Sequence, residues 1–219
     1  MKTAKSITPL SASAVPVISR TIVSPHAGTA QSKHETAHPA TEPLNIYIHT
    51  LGDLYTHQLR DILSCETQLH AALPTLMPSV ASQELTSLFQ VLTDEAEEHV
   101  VRLNRILEAL ATLAASHTPP NDSTPPPFSI ATQALIHQSG SFALAIPETS
   151  LREASLICTL QKLVHHKISS YGSLISFANL LKRETDARLL QRNLQQERQG
   201  DENLTILAVS AININAVAA

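Results

Sequence analysis

The chain has 219 residues, of which 43% are hydrophobic and 16% charged, with a formal net charge of -4 at pH 7. This length supports one hydrophobic core with a tail, and the small negative charge gives no broad basic field to attract nucleic acid or anionic lipid. Trp is absent and aromatic residues make up only 3%, which disfavours base stacking. We therefore expect neither nucleic-acid nor membrane partners.

The segment 1–43 differs in composition from the rest of the chain. Ser, Thr, Ala and Pro dominate it, and the first acidic residue is Glu35. This composition resembles a transit peptide, but Ser and Pro interrupt the apolar stretch 10–18, so a secretory signal is not expected. We interpret 1–43 as a disordered tail, with organelle import as the alternative, and 44–219 as one helical domain. No segment approaches the roughly twenty consecutive apolar residues of a membrane-spanning helix.

Four long segments and one short segment have the properties of helices. Apolar residues recur every three or four positions along the long ones, which is the spacing of one helix face, and alternation of the strand type is absent. Pro74 is expected to end the first helix, and Ser82 or Glu84 to open the second. The predicted long helices span 46–73, 82–115, 150–181 and 184–211, and the short one spans 129–144.

The segment 116–127 separates the second and third long helices. It contains five prolines together with Asn and Asp, so it is predicted to form a long surface connection rather than a helix. A long connection allows the helices before and after it to run parallel. The pattern predicts an all-α, ferritin-like four-helix bundle with one long crossover and a short extra helix.

The two cysteines, Cys65 and Cys158, both fall within apolar helical patterns and lie far apart in the sequence. This arrangement favours buried free thiols over the disulfide framework of a secreted protein. A reducing, cytoplasmic location is therefore expected.

Polar side chains interrupt each of the four long apolar stripes near its middle. Burying a charge on an apolar helix face is costly unless the charge meets a metal or an opposite charge, so these residues are the candidate site. They are Glu66 in the first long helix, Glu95 and His99 in the second, Lys167 in the third, and Glu197 and Asp201 in the fourth.

Helical bundles of this type often hold two iron or manganese ions. Such a centre uses one Glu from each of two helices, and a Glu with a His one turn later from each of the other two. The predicted donors are Glu66, Glu95, His99, Glu197 and Asp201, with Glu98 as an alternative to His99. The third long helix departs from this pattern because it has no acid between 155 and 183 and carries Lys167 on its stripe.

Ordinary structural roles remain open for each of these residues. Taken alone, Glu66 is typical of a surface residue on a helix, and His99 is typical of a hydrogen-bonded core histidine. Tyr171 is expected to be a packing residue of the core. Of the adjacent pair at 165 and 166, only His165 is expected to be able to turn inward.

The sequence resembles the YciE/YciF group of bacterial stress proteins over 48–218. The resemblance rests on LRDILSCETQLHAALP, ELTSLFQVLTDEAEEHVVRLNRIL, LREASLI followed by SSYGSLI, and LLQRNLQQERQGDENLTILA followed by ININ. It implies a ferritin-like bundle, often a dimer, in which Glu66, Glu95, His99, Glu197 and Asp201 match the polar core positions of the family. Two acidic family positions are Val164 and Lys167 here, which argues against a standard di-iron centre.

Three functions follow from these observations, in order of preference. The first is a stress-associated bundle with a degenerate, metal-free carboxylate site in which Lys167 replaces an expected acid, and which is not a competent oxidase. The second is an iron- or manganese-binding oxidoreductase or iron-handling protein that uses the remaining donors. The third is an assembly module that forms a homodimer through an exposed apolar helix face. No phosphate-binding loop, GxSxG or HExxH motif is present, so no catalytic or cofactor-binding residue is assigned.

Overall fold

The computed structural model describes residues 48–115 and 128–218, and the predicted tail and crossover loop lie outside these ranges. Within the described ranges the regular structure is entirely helical. The α-helices are α1 (Leu51–Leu76), α2 (Gln83–Ala115), α3 (Ile130–Ala145), α4 (Thr149–Leu180), α5 (Glu184–Leu207) and α6 (Asn213–Ala218). The all-α prediction is confirmed.

Side-chain caps decide where the long helices begin. Thr50 and Asp53 form a reciprocal capping box, so α1 begins at Leu51 rather than at the predicted position 46. Ser82 accepts a hydrogen bond from the backbone N of Leu85 at 3.2 Å and opens α2 as predicted. The Glu148 side chain accepts from two backbone N–H groups at the start of α4.

The prediction that Pro74 ends α1 is wrong, because the helix continues through it to Leu76. Proline removes one intrahelical hydrogen bond, but here the loss falls in the last turn, where little helix follows. The helix instead ends in the short 3₁₀ turn Met77–Ser79, closed by the Val80 N–H donating to the Met77 carbonyl at 3.0 Å.

The C-terminal helix is also more segmented than predicted. A π-helical turn, Ala208–Ile212, separates α5 from α6, where the sequence predicted one helix to 211. Ala208 and Ile212 are both buried.

The four long helices form a bundle in which α1 and α5 each pack against both α2 and α4. At one end, the Glu153 carboxylate near the start of α4 accepts from the backbone N–H groups of Ala81 and Ser82, both at 2.7 Å, so α2 and α4 begin at the same end. At the other end, Tyr55 near the start of α1 donates to Asp186 near the start of α5 at 3.2 Å. The pairs α2/α4 and α1/α5 are therefore parallel, and α3 packs on α1 and α4.

The predicted stripes form the core of this bundle. Their residues are buried except Glu95 and Asp201, which are partly buried. One apolar cluster, including Leu73, Phe89 and Leu160, fills the end near the start of α2. A second cluster, including Leu59 and Leu190, fills the other end. The polar stripe residues lie between the two clusters, so the bundle has an apolar core with a charged middle.

The cysteines have different environments. Both are free, as expected, and Cys65 is buried, but the prediction of a buried Cys158 is wrong because this side chain is exposed. Cys158 lies two residues from both Leu156 and Leu160, and a rotation of about 100° per residue turns it to the opposite face of α4.

Within 48–115 and 128–218, no helix combines the length and the apolar character needed to cross a membrane.

Candidate functional site

One charged side chain from each long helix meets in the middle of the bundle. These are Glu66 of α1, His99 of α2, Lys167 of α4 and Glu197 of α5. None exposes more than 2% of its surface. The apolar stripes that form the core therefore carry these four groups to one level.

The two cationic side chains each contact both carboxylates. Lys167 Nζ lies 3.1 Å from Glu66 Oε2 and 2.6 Å from Glu197 Oε1. His99 Nδ1 lies 3.0 Å from Glu66 Oε1 and 3.3 Å from Glu197 Oε1. We call these four residues the charge cluster. With both acids ionised and both bases protonated, its net charge is zero.

A neutral phenol completes the contacts of Glu66. Tyr171 on α4 is fully buried and donates its hydroxyl hydrogen to Glu66 Oε1 at 2.6 Å. Asn193 on α5 donates to the Tyr171 oxygen at 3.2 Å. The Tyr171 ring also meets the His99 ring edge-on, with the centroids 5.8 Å apart. Glu66 is thus bound by three donors, which favours its ionised form.

A polar layer connects the charge cluster to the protein surface. His99 Nε2 lies 3.2 Å from Gln196 Oε1, which also accepts from Arg102 at 2.6 Å. Arg102 donates in addition to Asn193 Oδ1 at 2.9 Å and to the exposed Glu98.

Burial and charge act in opposite directions on the ionisation of the cluster. Burial opposes ionisation of Glu66, but the Lys167 ammonium and the His99 hydrogen bond outweigh it and lower the pKa of this carboxyl to about 2. Burial likewise opposes protonation of His99, yet hydrogen bonds to Glu197 and Glu66 raise its pKa to about 9. The two carboxylates overcome desolvation at Lys167 and raise its pKa. Glu66, His99 and Lys167 are therefore charged at neutral pH.

Two neighbouring groups are neutral for the same reasons. Burial, followed by the charge of Glu66, raises the pKa of Tyr171 well above its ordinary value. Burial and Glu66 also raise the pKa of the Cys65 thiol to about 12, so this buried cysteine is not a thiolate nucleophile.

The structure brings together only some of the residues predicted as ligands. Atoms of Glu66, His99 and Glu197 that could bind a metal lie within 4.8 Å of one another, and among the described residues they form the one group of this kind. Glu95, one turn before His99, is partly buried, and burial raises its pKa. Asp201, one turn after Glu197, is outside the group.

Asp201 instead faces α4 near the surface. Its Oδ1 lies 3.2 Å from Nε2 of His165, which is 63% exposed, at ion-pair distance but without hydrogen-bond geometry. His165 therefore reaches the edge of the site and not its centre. Glu197 Oε2 is buried without a hydrogen-bond partner among the described residues.

The sequence pattern does not predict three residues of the polar layer, Asn193, Gln196 and Arg102, and it indicates only a packing role for Tyr171. Helical spacing does contain a signal for two of them, because Arg102 follows His99 by three positions and Asn193 precedes Glu197 by four, so each shares a face with a cluster residue.

Comparison with known proteins assigns the family. The model of the family described as "Domain of unknown function (DUF892)" matches residues 50–217. Protein YciF of Escherichia coli (strain K12) is 28% identical over 167 residues, which make up 76% of this chain and 95% of that protein.

Solved structures agree with this assignment. The crystal structure of the E. coli stress protein YciF superposes with a TM-score of 0.66 at 27% identity, covering 76% of this chain and 99% of that one. YcfI from Rhodopseudomonas palustris superposes with a TM-score of 0.64 at 25% identity, covering 72% and 94%. The chain belongs to the YciE/YciF family and has its ferritin-like fold.

Proposed function

We propose that this protein is a stress-associated ferritin-like bundle in which an internal ion-pair cluster takes the place of a two-metal carboxylate centre. The observation that carries the proposal is the position of Lys167, whose ammonium contacts Glu66 and Glu197 at 3.1 and 2.6 Å. These are the carboxylates that a metal between α1 and α5 would need. The ammonium supplies positive charge that a metal would otherwise provide.

The donor set does not fit a two-metal centre. Such a centre uses four carboxylates and two imidazoles, whereas the described residues gather two carboxylates and one imidazole around an ammonium. Glu95 and Asp201, the other predicted acids, are not members of this group. Both ring nitrogens of His99 lie within hydrogen-bond distance of oxygen atoms, so His99 would have to give up one of these contacts to bind a metal.

Metal content tests the proposal directly. The full chain, purified without chelators and analysed for elements by mass spectrometry, is expected to contain iron and manganese well below one ion per chain. A stoichiometric amount of either metal would overturn the proposal.

A charge reversal at Lys167 provides the matched test. Lys167→Glu restores an acid on α4 and is expected to increase bound manganese or iron relative to the wild type, because it removes the competing ammonium. Lys162→Glu makes the same change at an exposed position of α4 and serves as the control. Equal metal content in the two variants would contradict the role given to Lys167.

One observation favours the second candidate function, a metal-binding oxidoreductase or iron-handling protein. Glu66, His99 and Glu197 offer two oxygens and one nitrogen in a buried group, a donor set suited to one iron or manganese ion. This function requires Lys167 to leave the cluster when metal binds. Stoichiometric metal in the wild type would select it.

A further proposal concerns the assembly. Apolar side chains at the end of α5 and beyond are exposed, which favours a homodimer through this face. They are Ile206, Val209, Ile214 and Val217. Sedimentation analysis is expected to give twice the monomer mass, and a monomer at all concentrations would contradict this assembly.

Because both cysteines are free thiols, we also propose a cytoplasmic location.

A further inference from the structure

A shallow groove lies on the surface between the start of α2 and the end of α5. The two helices run antiparallel, so the beginning of one lies beside the end of the other. The groove has a volume of about 350 Å³ and shares no residue with the charge cluster. Its lining residues are Glu84, Ser87, Leu88, Val91, Asn203, Ile206, Leu207 and Ser210.

The apolar side chains of this groove are only partly covered by the protein itself. Val91 exposes 47% of its surface and Ile206 exposes 54%. Next to the groove, a Cβ on Gly200 would lie 3.0 Å from Leu92, so α2 and α5 are in close contact there. The helices therefore leave an apolar surface open only toward their ends, which is typical of a binding surface.

Acidic residues surround the groove without basic neighbours in the chain. Residues 83–101 contain five acids and residues 199–219 contain two, and neither segment contains Lys or Arg. Glu84 lines the groove, and Asp94 and Glu202 are exposed near its other end. Within the described ranges, these three carboxylates accept hydrogen bonds from a serine and two glutamines, and no Lys or Arg pairs with them. Their negative charge is therefore available to a ligand.

The shape of the groove fits the side chains of a third helix. Its volume is at the lower end of the range for pockets that enclose a whole small molecule. A groove between two packed helices instead accepts apolar side chains that recur every three or four residues on an amphipathic helix. Lys and Arg beside that apolar face would pair with Glu84, Asp94 and Glu202.

The charge of the groove disfavours other occupants. A nucleic acid or an anionic membrane would bring negative charge against the same acids. A second copy of this chain would bring its own acidic residues against them. The face proposed above for the homodimer shares only Ile206 with the groove.

We propose that the groove between α2 and α5 binds a basic amphipathic helix of a partner protein. This inference goes beyond the proposed ion-pair cluster and does not depend on it. Stoichiometric metal in the purified protein would overturn the proposed function and leave this inference standing.

Fluorescence anisotropy with synthetic peptides and the full chain tests the inference. The probe is a labelled helical peptide of about four turns, with Leu at every third or fourth position and Lys at the others. The matched peptide carries Glu in place of each Lys. We expect saturable binding of the Lys peptide and none of the Glu peptide, and equal binding of both would overturn the role of the acids.

Variants of α2 locate the binding surface. Val91→Asn removes apolar contact without changing the charge, and we expect it to weaken binding of the Lys peptide about tenfold. The control is Val101→Asn, which makes the same change at a valine of α2 that is 63% exposed and does not line the groove. It is expected to leave binding unchanged. If Val91→Asn does not fold, Ser87→Arg places a cation in the groove at an exposed position and should also weaken binding.

Three results would overturn the inference. The first is the absence of saturable binding of the Lys peptide to the wild type. The second is equal binding by the groove variant and the Val101→Asn control, which would show attraction to the acidic surface in general. The third is a loss of dimer mass in Val91→Asn on sedimentation, which would make the groove a contact between two copies of the chain.

Discussion

Lys167 is the residue on which the charge cluster depends most. Its ammonium is buried between Glu66 and Glu197, and its removal leaves two buried acids with His99 as their remaining cation. Breaking a buried pair from one side is strongly destabilising because the desolvated charge that remains has lost its partner.

We therefore expect Lys167→Ala to lower the free energy of unfolding by roughly 3 to 5 kcal/mol. Urea denaturation at neutral pH measures this change. Lys162→Ala on the exposed side of α4 is the matched control and should change stability by no more than about 0.5 kcal/mol. Equal stability of the two variants would show that the ammonium does not stabilise the cluster.

His99 makes the stability of the protein dependent on alkaline pH. Its pKa is 6.5 when unperturbed and about 9 in the fold, so its contribution is fully present below about pH 6.5 and is lost as pH rises through about 9. The difference corresponds to a loss on the order of 3 kcal/mol. Denaturant unfolding at about pH 6 and about pH 9.5 measures it.

His99→Gln is expected to remove most of this alkaline loss while lowering stability at pH 6. A variant that loses as much stability as the wild type on alkalinisation would contradict the assignment to His99.

Glu66 acts in the opposite direction, because its lowered pKa gives a contribution to stability that is present above pH 4.5 and lost as pH falls toward about 2.

At the scale of the elements, the close packing of α5 against α2 leaves little room for a side chain at Gly200. A Cβ placed on the buried Gly200 would lie 3.0 Å from Cδ2 of Leu92, which is itself in the core. Gly172 on α4 has no atom within 4 Å of the same position. Alanine substitutions at these two glycines therefore distinguish the effect of helix propensity from the effect of packing.

Gly172→Ala is expected to stabilise the protein by about 0.5 to 1 kcal/mol, the usual gain of alanine over glycine within a helix. Gly200→Ala gains the same propensity but forces Leu92 to shift, so we expect it to be less stable than Gly172→Ala by about 1 to 3 kcal/mol. Thermal unfolding of the two variants gives this difference, and equal melting temperatures would contradict the tight contact.

The sequence predicts that the short helix α3 exists, but it does not predict which side of α3 faces the core. Its existence was expected from the sequence, but its most buried residues are Thr132 and Ser139, whereas Ile130 and Leu144 are exposed. Apolar residues occur on all sides of α3, so periodicity identifies no inner face. The contacts of α3 with α1 and α4 make that choice.

At the scale of the whole molecule, the bundle places a charged layer between two apolar clusters. Burying Glu66 and Glu197 is tolerable only because Lys167 and His99 arrive from the other two helices at the same level. Each charged side chain of the cluster would be unfavourable to bury alone. Together, their opposite charges offset the cost of burial.

Helical periodicity is a local property of the chain, so the four long helices, their inward faces and the residues that interrupt these faces are predictable from the sequence. It also indicated Lys167 as the departure from the two-metal pattern. The caps at Thr50 and Glu148 and the helical conformation at Pro74 are not predicted, because helical periodicity does not show the specific side-chain contacts that shape a single turn.

Which of these polar residues contact one another depends on how the helices pack in three dimensions. Glu66, His99, Lys167 and Glu197 form one cluster, whereas Glu95 and Asp201, on the same predicted stripes, lie one turn away from it. An apolar stripe identifies the face of a helix that points inward. Contact between side chains also depends on the axial level of one helix relative to the next. The axial level is set by the packing of the two apolar clusters and by the polar layer around Arg102, both of which involve several helices.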